Sequence, residues 1–158
     1  MADNIEDILL LETSKGAVTI TMRPDLAPTH VARIKELVRE GFYDGVVFHR
    51  VIDGFMAQTG DPTGTGTGGS GQKLKAEFSK EPHVRGTVSM ARAGSPDSGD
   101  SQFFICFEDS TWLNGQYTVW GKVTEGMDIV DKIKRGEPVS NPDKIVTARM
   151  MADVADAH

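Results

Sequence analysis

Arg50 is the residue of this sequence whose setting most needs a chemical explanation. It lies in the run 46–52, where Phe48, Val51 and Ile52 give the apolar character of a partly buried strand. A guanidinium in such a strand either rests its stem on apolar surface atoms or serves as a fixed hydrogen-bond donor. Both interpretations of Arg50 stay open from this pattern alone.

The histidines and nucleophilic side chains form no recognisable metal or catalytic pattern. The four histidines lie far apart, with no H-x-x-x-H pair and no cysteine beside them: His30, His49, His83 and His158. Zinc is therefore disfavoured, and His49, within an apolar strand pattern, is more typical of a hydrogen-bonded structural histidine than of a general base. Hydrolysis is disfavoured because no nucleophile elbow surrounds Ser89, Ser101 or Cys106. We predict neither a metal nor a cofactor.

A glycine-rich loop over residues 61–71 matches the dinucleotide fingerprint G-x-G-x-x-G in residue spacing alone. That fingerprint needs a strand running into the loop and a helix leaving it, and Asp61-Pro62 interrupts this context. A phosphate-binding P-loop also fails, because Gln72 stands where lysine is required. The loop is interpreted as facing substrate or solvent rather than as binding a nucleotide.

Short apolar runs with two-residue alternation predict a chain that is mainly β-structure. The predicted strands cover residues 8–11, 18–22, 46–52, 55–59, 87–91, 102–107, 117–123 and 144–150. Helices are predicted over 27–40 and 126–135, a helical turn is allowed for 75–79, and the acidic tail after Met150 is expected to be solvated. Many short strands and two separated helices favour an all-β barrel capped by helices over a doubly wound α/β fold.

Strand alternation groups four residues of two predicted strands on one face. Met56 and Gln58 should share a face, as should Gln102 and Phe104, while the alternate residues of the second strand point to the other side. If that other side is the core, two large apolar groups and two amides lie exposed together. Exposed apolar groups interleaved with hydrogen-bonding groups are typical of a shallow binding site.

The composition limits the class of protein. A chain of 158 residues, 39% hydrophobic and 25% charged, predicts a single soluble domain over residues 1–158. A net charge of −6 without a basic cluster disfavours nucleic acid, and no run approaches the ~20 apolar residues of a membrane span. The acidic start lacks the features of a signal peptide, and the single cysteine fits a reducing compartment, so we predict a cytoplasmic protein. Nothing in the sequence indicates more than a monomer.

Four segments carry a resemblance to a known family. Residues 48–61, Phe-His-Arg-Val-Ile-Asp-Gly-Phe-Met-Ala-Gln-Thr-Gly-Asp, closely resemble the signature of the cyclophilins, the cyclosporin-binding peptidyl-prolyl cis-trans isomerases. Agreement in order and spacing continues at 86–91 (Gly-Thr-Val-Ser-Met-Ala), 101–105 (Ser-Gln-Phe-Phe-Ile) and 112–123, which begins Trp-Leu-Asn-Gly and ends Val-Trp-Gly-Lys-Val. The resemblance extends over nearly the whole chain.

The resemblance implies a mainly β fold: an eight-stranded antiparallel closed β-barrel capped by two α-helices, with the active site on its outer surface. It implies that Arg50 is catalytic, with Gln58 beside it. The residues that it implies for substrate binding are Phe55, Met56, Ala91, Arg92, Gln102, Phe104, Trp112, Leu113 and Tyr117. Four of the implied residues, Met56, Gln58, Gln102 and Phe104, are those that strand alternation places together.

The implied activity is cis-trans isomerisation of X-Pro bonds in proline-containing peptides and in unfolded or flexible protein segments, which assists folding. A module that binds such segments without accelerating isomerisation is the alternative, and it would need the apolar pocket but not Arg50. Holdase-like chaperoning through the same groove is compatible with either function.

Two positions differ from the familiar animal cytosolic pattern of the family, and a third matches a residue associated with a known ligand. Tyr117 stands where a histidine is usual, so a ring contact is expected there without imidazole chemistry. Arg92 replaces an asparagine, for which altered affinity rather than lost activity is expected. Trp112 matches the tryptophan associated with tight cyclosporin binding in the family, so we predict that cyclosporin A binds and inhibits.

Overall fold

The computed structural model describes residues 5–155 and consists mainly of short β-strands. The strands are β1 (Ile8–Thr13), β2 (Gly16–Met22), β3 (Arg50–Ile52), β4 (Met56–Thr59), β5 (Thr87–Met90), β6 (Phe103–Cys106), β7 (Val119–Glu125) and β8 (Ile145–Met150). The helices are α1 (Pro28–Arg39), α2 (Met127–Val130) and α3 (Met151–Ala155), and 3-10 turns lie at Ile5–Asp7 and Thr111–Leu113. Every predicted strand is present, and the largest difference is at β3, which begins at Arg50 rather than at residue 46.

All eight strands belong to one antiparallel sheet in the order β3-β4-β6-β5-β7-β2-β1-β8. The sheet curls into a half-barrel whose edge strands, β3 and β8, do not pair, so the predicted closed barrel is wrong. The outer edge of β3 is occupied by Gly136, whose N–H and C=O each exchange a 2.8 Å hydrogen bond with Val51. The segments preceding the two edge strands meet at the isolated bridge Val47–Lys144. The β3 backbone groups that could extend the sheet are therefore already used.

The first helix, α1, confirms the predicted bounds of 27–40 to within one residue. Its core-facing apolar residues are buried at helical spacing: Val31, Ile34, Leu37 and Val38. The helix ends in a pair of hydrogen bonds from Phe42 N–H to Leu37 C=O and from Gly41 N–H to Val38 C=O. Gly41 has a φ of 75°, a left-handed conformation that glycine adopts without a Cβ penalty.

The second predicted helix is much shorter than its apolar pattern indicated. α2 covers only Met127–Val130, because the N–H groups of Lys132 and Ile133 bond to carbonyls three residues back, and Lys134 N–H bonds to the Asp143 carboxylate. The helical turn allowed for residues 75–79 is absent, since the Ala76 and Glu77 N–H groups bond to distant side chains.

The prediction that the tail after Met150 is solvated is wrong for residues 151–155, which form α3 with Ala152 buried. Residues 156–158 of that tail lie outside the described residues.

The main core lies inside the curl of the sheet, and a second apolar cluster lies on its outer face. Phe103, Ile105 and Phe107 of the β6 segment belong to the main core, as alternation predicted. The cluster on the opposite face, called the outer cluster here, consists of Met56, Phe104, Cys106 and Leu113. Within residues 5–155, no helix is both long enough and apolar enough to cross a bilayer.

Candidate active site

Strand register brings the predicted site residues together on the outer face of the sheet. Arg50 lies opposite Gln58 in the β3–β4 pair, and Gln58 lies opposite Phe104 in the β4–β6 pair. A cavity of about 450 Å³ opens over the outer cluster, and every predicted site residue except Gln102 lines it. Gln102 lines an adjoining cavity of about 540 Å³ together with residues of the glycine loop. The predicted residues therefore form one continuous surface.

The outer face is less exposed than predicted from strand alternation. Met56 and Phe104 keep only 2% and 5% of their surface accessible, because Phe55, Leu113 and Tyr117 pack against them. The prediction that both are exposed is wrong, although the face that they share is as predicted. A buried floor with partly exposed walls is a better-defined site for an apolar ring than a flat apolar patch.

Arg50 lies at the end of a directed series of hydrogen bonds. Gln102 donates its Nε2 hydrogens to the carbonyl oxygens of Gly66 (3.0 Å) and Gly68 (2.9 Å). Because those oxygens can only accept, the Gln102 Oε1 atom faces Gln58 and accepts from its Nε2 at 2.9 Å. Gln58 Oε1 is thereby turned toward Arg50 and accepts from Nη1 at 3.3 Å. The orientations of both amides follow from the carbonyls of the glycine loop.

The other edge of the guanidinium contacts Glu137, a residue that the sequence analysis missed. Arg50 Nε donates to Glu137 Oε1 at 3.3 Å, and the two side chains are 41% and 58% exposed. An ion pair this exposed contributes little free energy, so its effect is chiefly to orient the guanidinium. Among residues 5–155, no atom accepts a hydrogen bond from Arg50 Nη2. No motif marks Glu137, which lies 87 residues away in sequence.

The glycine loop is organised around the buried carboxylate of Asp61. Asp61 accepts hydrogen bonds from the N–H groups of Thr63 (2.8 Å), Gly66 (2.6 Å) and Gly68 (3.0 Å). Burial alone would raise the pKa of Asp61, but the hydrogen bonds from Gly68 and Thr63 outweigh it and hold the pKa well below its usual range. Because these N–H groups are already used, the geometry also disfavours phosphate binding by this loop.

Aromatic side chains and Leu113 form the walls of the cavity. The ring centroids of Phe55 and Trp112 lie 5.6 Å apart, and the Tyr117 ring meets the Phe104 ring edge-on at 5.7 Å. The two unusual residues contact each other, since the Arg92 guanidinium lies 4.8 Å from the Tyr117 ring centroid. Arg92 also donates to the Gln116 and Ala93 carbonyls, so its charge is fixed at the rim. Gln116 lines the cavity and was not predicted.

His49 is buried beside Arg50, as expected for a structural histidine, but not all of its ring is hydrogen-bonded. Its Nδ1 atom has no partner among residues 5–155, so the prediction of a fully hydrogen-bonded ring is wrong. Burial lowers the pKa of His49, which favours the neutral ring at neutral pH. Among residues 5–155, no three histidine, cysteine, aspartate or glutamate side chains are grouped so that they could hold a metal ion.

Cys106 is expected to be unreactive in the folded protein. It is completely buried in the outer cluster, and burial raises the pKa of its thiol to about 12. Since the thiolate is the reactive form, a water-soluble aromatic disulfide reagent should release no chromophore from native protein and one equivalent after unfolding in urea. Rapid reaction of the native protein at pH 8 would contradict the burial of this cluster.

Comparison with known proteins places this chain in one family. Residues 8–152 match the family described as "Cyclophilin type peptidyl-prolyl cis-trans isomerase/CLD". A probable peptidyl-prolyl cis-trans isomerase of Brucella suis is 57% identical, over 94% of this chain and 84% of the relative. Peptidyl-prolyl cis-trans isomerase B of Bacillus subtilis is 48% identical, over 76% of this chain and 85% of the relative.

Solved structures agree with the sequence comparison. The cyclophilin AquaCyp293 from Hirschia baltica superposes with a TM-score of 0.90 at 32% identity, covering 97% of this chain and 77% of that one. A cyclophilin-type isomerase of Cryptosporidium parvum, crystallised in the presence of the dipeptide Ala-Pro, gives a TM-score of 0.84 at 28% identity, with coverage of 90% and 98%. The chain therefore belongs to the cyclophilin family. It is a peptidyl-prolyl cis-trans isomerase, as the sequence resemblance implied.

Proposed function

We propose that the cavity over the outer cluster binds the proline ring of a substrate and that Arg50 is the catalytic residue. The observation that carries this assignment is the series Gln102–Gln58–Arg50, which fixes a guanidinium beside an apolar cavity. The Phe104 floor of the cavity and its walls at Phe55 and Leu113 match a small apolar ring. The Cryptosporidium relative crystallised in the presence of Ala-Pro supports a proline-containing peptide as the ligand class.

The proposed chemistry needs no bond to be broken. The barrier to rotation about a peptide bond, ~18–20 kcal/mol, arises from conjugation of the nitrogen lone pair with the carbonyl. A guanidinium that donates to the prolyl nitrogen favours a pyramidal nitrogen whose lone pair no longer conjugates. Arg50 Nη2 has no acceptor among residues 5–155 and is the atom assigned to this donation. With the proline ring held by the cavity, the acyl side of the bond rotates.

We further propose that the substrates include X-Pro bonds of unfolded or flexible protein segments, so that the enzyme assists folding. Support comes from the position of the cavity on the outer face of the sheet, where its rim residue Trp112 is 61% exposed. The test is the refolding of a protein whose slow phase is limited by proline isomerisation. The rate of that phase should increase in proportion to enzyme concentration. Suppressed aggregation without a faster slow phase would indicate holdase activity and contradict this part of the proposal.

Cyclosporin A is expected to bind next to Trp112 and inhibit the enzyme. Trp112 is 61% exposed at the rim of the cavity, whereas the other tryptophan, Trp120, is fully buried in the main core. A change in tryptophan fluorescence on titration should therefore come from Trp112, and it should parallel the loss of isomerase activity. Trp112→Ala should weaken inhibition by at least about tenfold, since an aromatic side chain that becomes buried in the complex contributes ~2 kcal/mol or more at binding sites. No inhibition of the natural chain at micromolar drug would contradict this prediction.

A further inference from the structure

A buried histidine lies behind the aromatic wall of the proposed proline cavity. His83 precedes β5 and is fully buried, so it cannot touch a substrate. Its ring lies nearly parallel to that of Phe104, with centroids 6.2 Å apart and an angle of 18° between the planes. The same ring meets Tyr117 edge-on at 6.4 Å. His83 therefore contacts two rings that line the cavity.

Both ring nitrogens of His83 are hydrogen-bonded, and the partners define which nitrogen carries the hydrogen. The backbone N–H of His83 donates to Asn114 Oδ1 at 2.7 Å, and the Nδ1 atom lies 3.1 Å from the same oxygen. An amide oxygen can only accept, so Nδ1 carries a hydrogen. Nε2 lies 2.9 Å from Ser89 Oγ, whose hydroxyl can donate to it. The Ser89 hydroxyl also lies 3.0 Å from the Thr118 carbonyl and could donate to it instead. That carbonyl has a second donor in Met90 N–H at 2.8 Å, whereas Nε2 carries no hydrogen and has no donor other than Ser89 among residues 5–155, so the serine hydrogen is assigned to Nε2.

The neutral ring therefore satisfies all of its hydrogen bonds in this position. Burial lowers the pKa of His83, which agrees with a neutral ring at neutral pH. Since no charge has to be buried, the contacts of His83 act through geometry rather than through an electric field at the site.

His83 also holds both ends of the 3-10 turn that carries Trp112 and Leu113. At the start of the turn, Ser110 N–H donates to the His83 carbonyl at 2.8 Å. At its end, Asn114 is held through its side-chain oxygen by the backbone and ring of His83. One buried residue therefore connects the Leu113 wall of the cavity to the Phe104 floor.

We propose that His83 is a positioning residue for the isomerase: through Asn114 and Phe104 it sets the width of the proline cavity. The inference rests on the proposed assignment of that cavity. Leu113 and Phe104 contact the proline ring in the ground state and the transition state alike. Uniform binding of this kind affects KM rather than kcat, whereas loss of the Arg50 donor affects kcat.

The test compares three variants in a peptide isomerisation assay that resolves KM and kcat. Asn114→Leu removes the acceptor, and His83→Leu removes both ring hydrogen bonds, whereas Asn114→Asp keeps an oxygen that accepts both bonds. KM should rise about fivefold or more in the two leucine variants, the effect of losing a neutral hydrogen bond, with kcat within about threefold of the natural value. Asn114→Asp should restore KM to within about twofold of the natural value.

His30→Gln serves as the matched control, because His30 is an equally buried histidine whose Nδ1 lies 2.6 Å from Glu77 Oε1, outside the cavity. It should lower the melting temperature without changing KM. If Asn114→Leu leaves KM unchanged, or if Asn114→Asp raises it as much as Asn114→Leu, the proposal is overturned. Asn114 is exposed, so its variants should fold even if His83→Leu does not. An Arg50→Ala variant with unchanged kcat would overturn the catalytic assignment separately and leave the KM comparison valid.

Discussion

Replacement of Arg50 by alanine is expected to lower kcat/KM for an X-Pro peptide by about 100- to 1000-fold, the usual effect of removing one donor that acts in the transition state. Peptide affinity should change by less than about threefold, because the apolar walls that hold the proline ring remain. Arg50→Lys should recover little activity. An ammonium group lacks the planar set of donors with which the guanidinium bonds to Gln58 on one side and to Glu137 on the other. The measurement is kcat/KM together with peptide titration by NMR.

Arg92→Ala is the matched control for Arg50→Ala. Arg92 lines the same cavity, but its guanidinium is used by backbone carbonyls and by the face of Tyr117. Its loss should change kcat by less than about threefold and act mainly on peptide affinity. Equal losses of kcat in the two variants would contradict the assignment of Arg50, because they would indicate a general effect of positive charge at the site.

Replacement of Asp61 by alanine is expected to destabilise the protein by about 3 kcal/mol, because three N–H groups of the glycine loop lose a charged acceptor. It should also lower kcat/KM by about tenfold. Displaced Gly66 and Gly68 carbonyls would no longer orient Gln102, and through Gln102 they would no longer orient Gln58 and Arg50. Urea unfolding and the peptide assay measure the two effects. Asp100→Ala is the control: Asp100 holds Ser70 and Gly71 of the same loop but neither of the carbonyls that bind Gln102.

Asp100→Ala should also destabilise the protein, but it should lower kcat/KM much less than Asp61→Ala does. If the two aspartate variants lose stability and activity in the same ratio, the directed series from the loop to Arg50 has no separate role.

The lowered pKa of Asp61 gives an expected pH dependence of stability. The unfolded chain binds a proton at Asp61 near pH ~4, whereas the folded chain does so only at lower pH, so the unfolded state binds more protons in acid. The contribution of Asp61 is therefore complete above about pH 5 and decreases as the pH falls toward 3. Between pH 5 and 3, the urea concentration at the unfolding midpoint should fall further for the natural chain than for Asp61→Asn. Parallel decreases in the two proteins would contradict this sign.

Local patterns in the sequence were sufficient for the strands and for the grouping of the site. The alternation of Met56, Gln58, Gln102 and Phe104 placed them on one face, because a strand has a side-chain period of two whatever the fold around it. The α1 helix followed from its apolar spacing and from Gly41 at its end. These features depend on neighbours along the chain, and the sequence contains that information.

Features that depend on distant partners could not be predicted in the same way. The sheet stays open because Gly136 occupies the edge of β3, and α2 does not resume toward residue 135 because Asp143 takes the Lys134 N–H. Glu137 contacts Arg50 across 87 residues of sequence. No local pattern encodes such pairings. The burial of Phe104 likewise depends on Tyr117, which reaches it from another segment.

The most direct test of the central claim is one NMR experiment with the natural chain and a peptide that contains a single Ala-Pro bond. It follows the protein amide shifts and the exchange between the cis and trans signals of the peptide in the same sample. We expect shift changes at Arg50, Phe104 and Leu113, together with strong cis-trans exchange cross-peaks at a small fraction of enzyme. Binding at these residues without accelerated exchange would mean that the cavity only recognises proline. Accelerated exchange with shift changes elsewhere would place the active site outside this cavity.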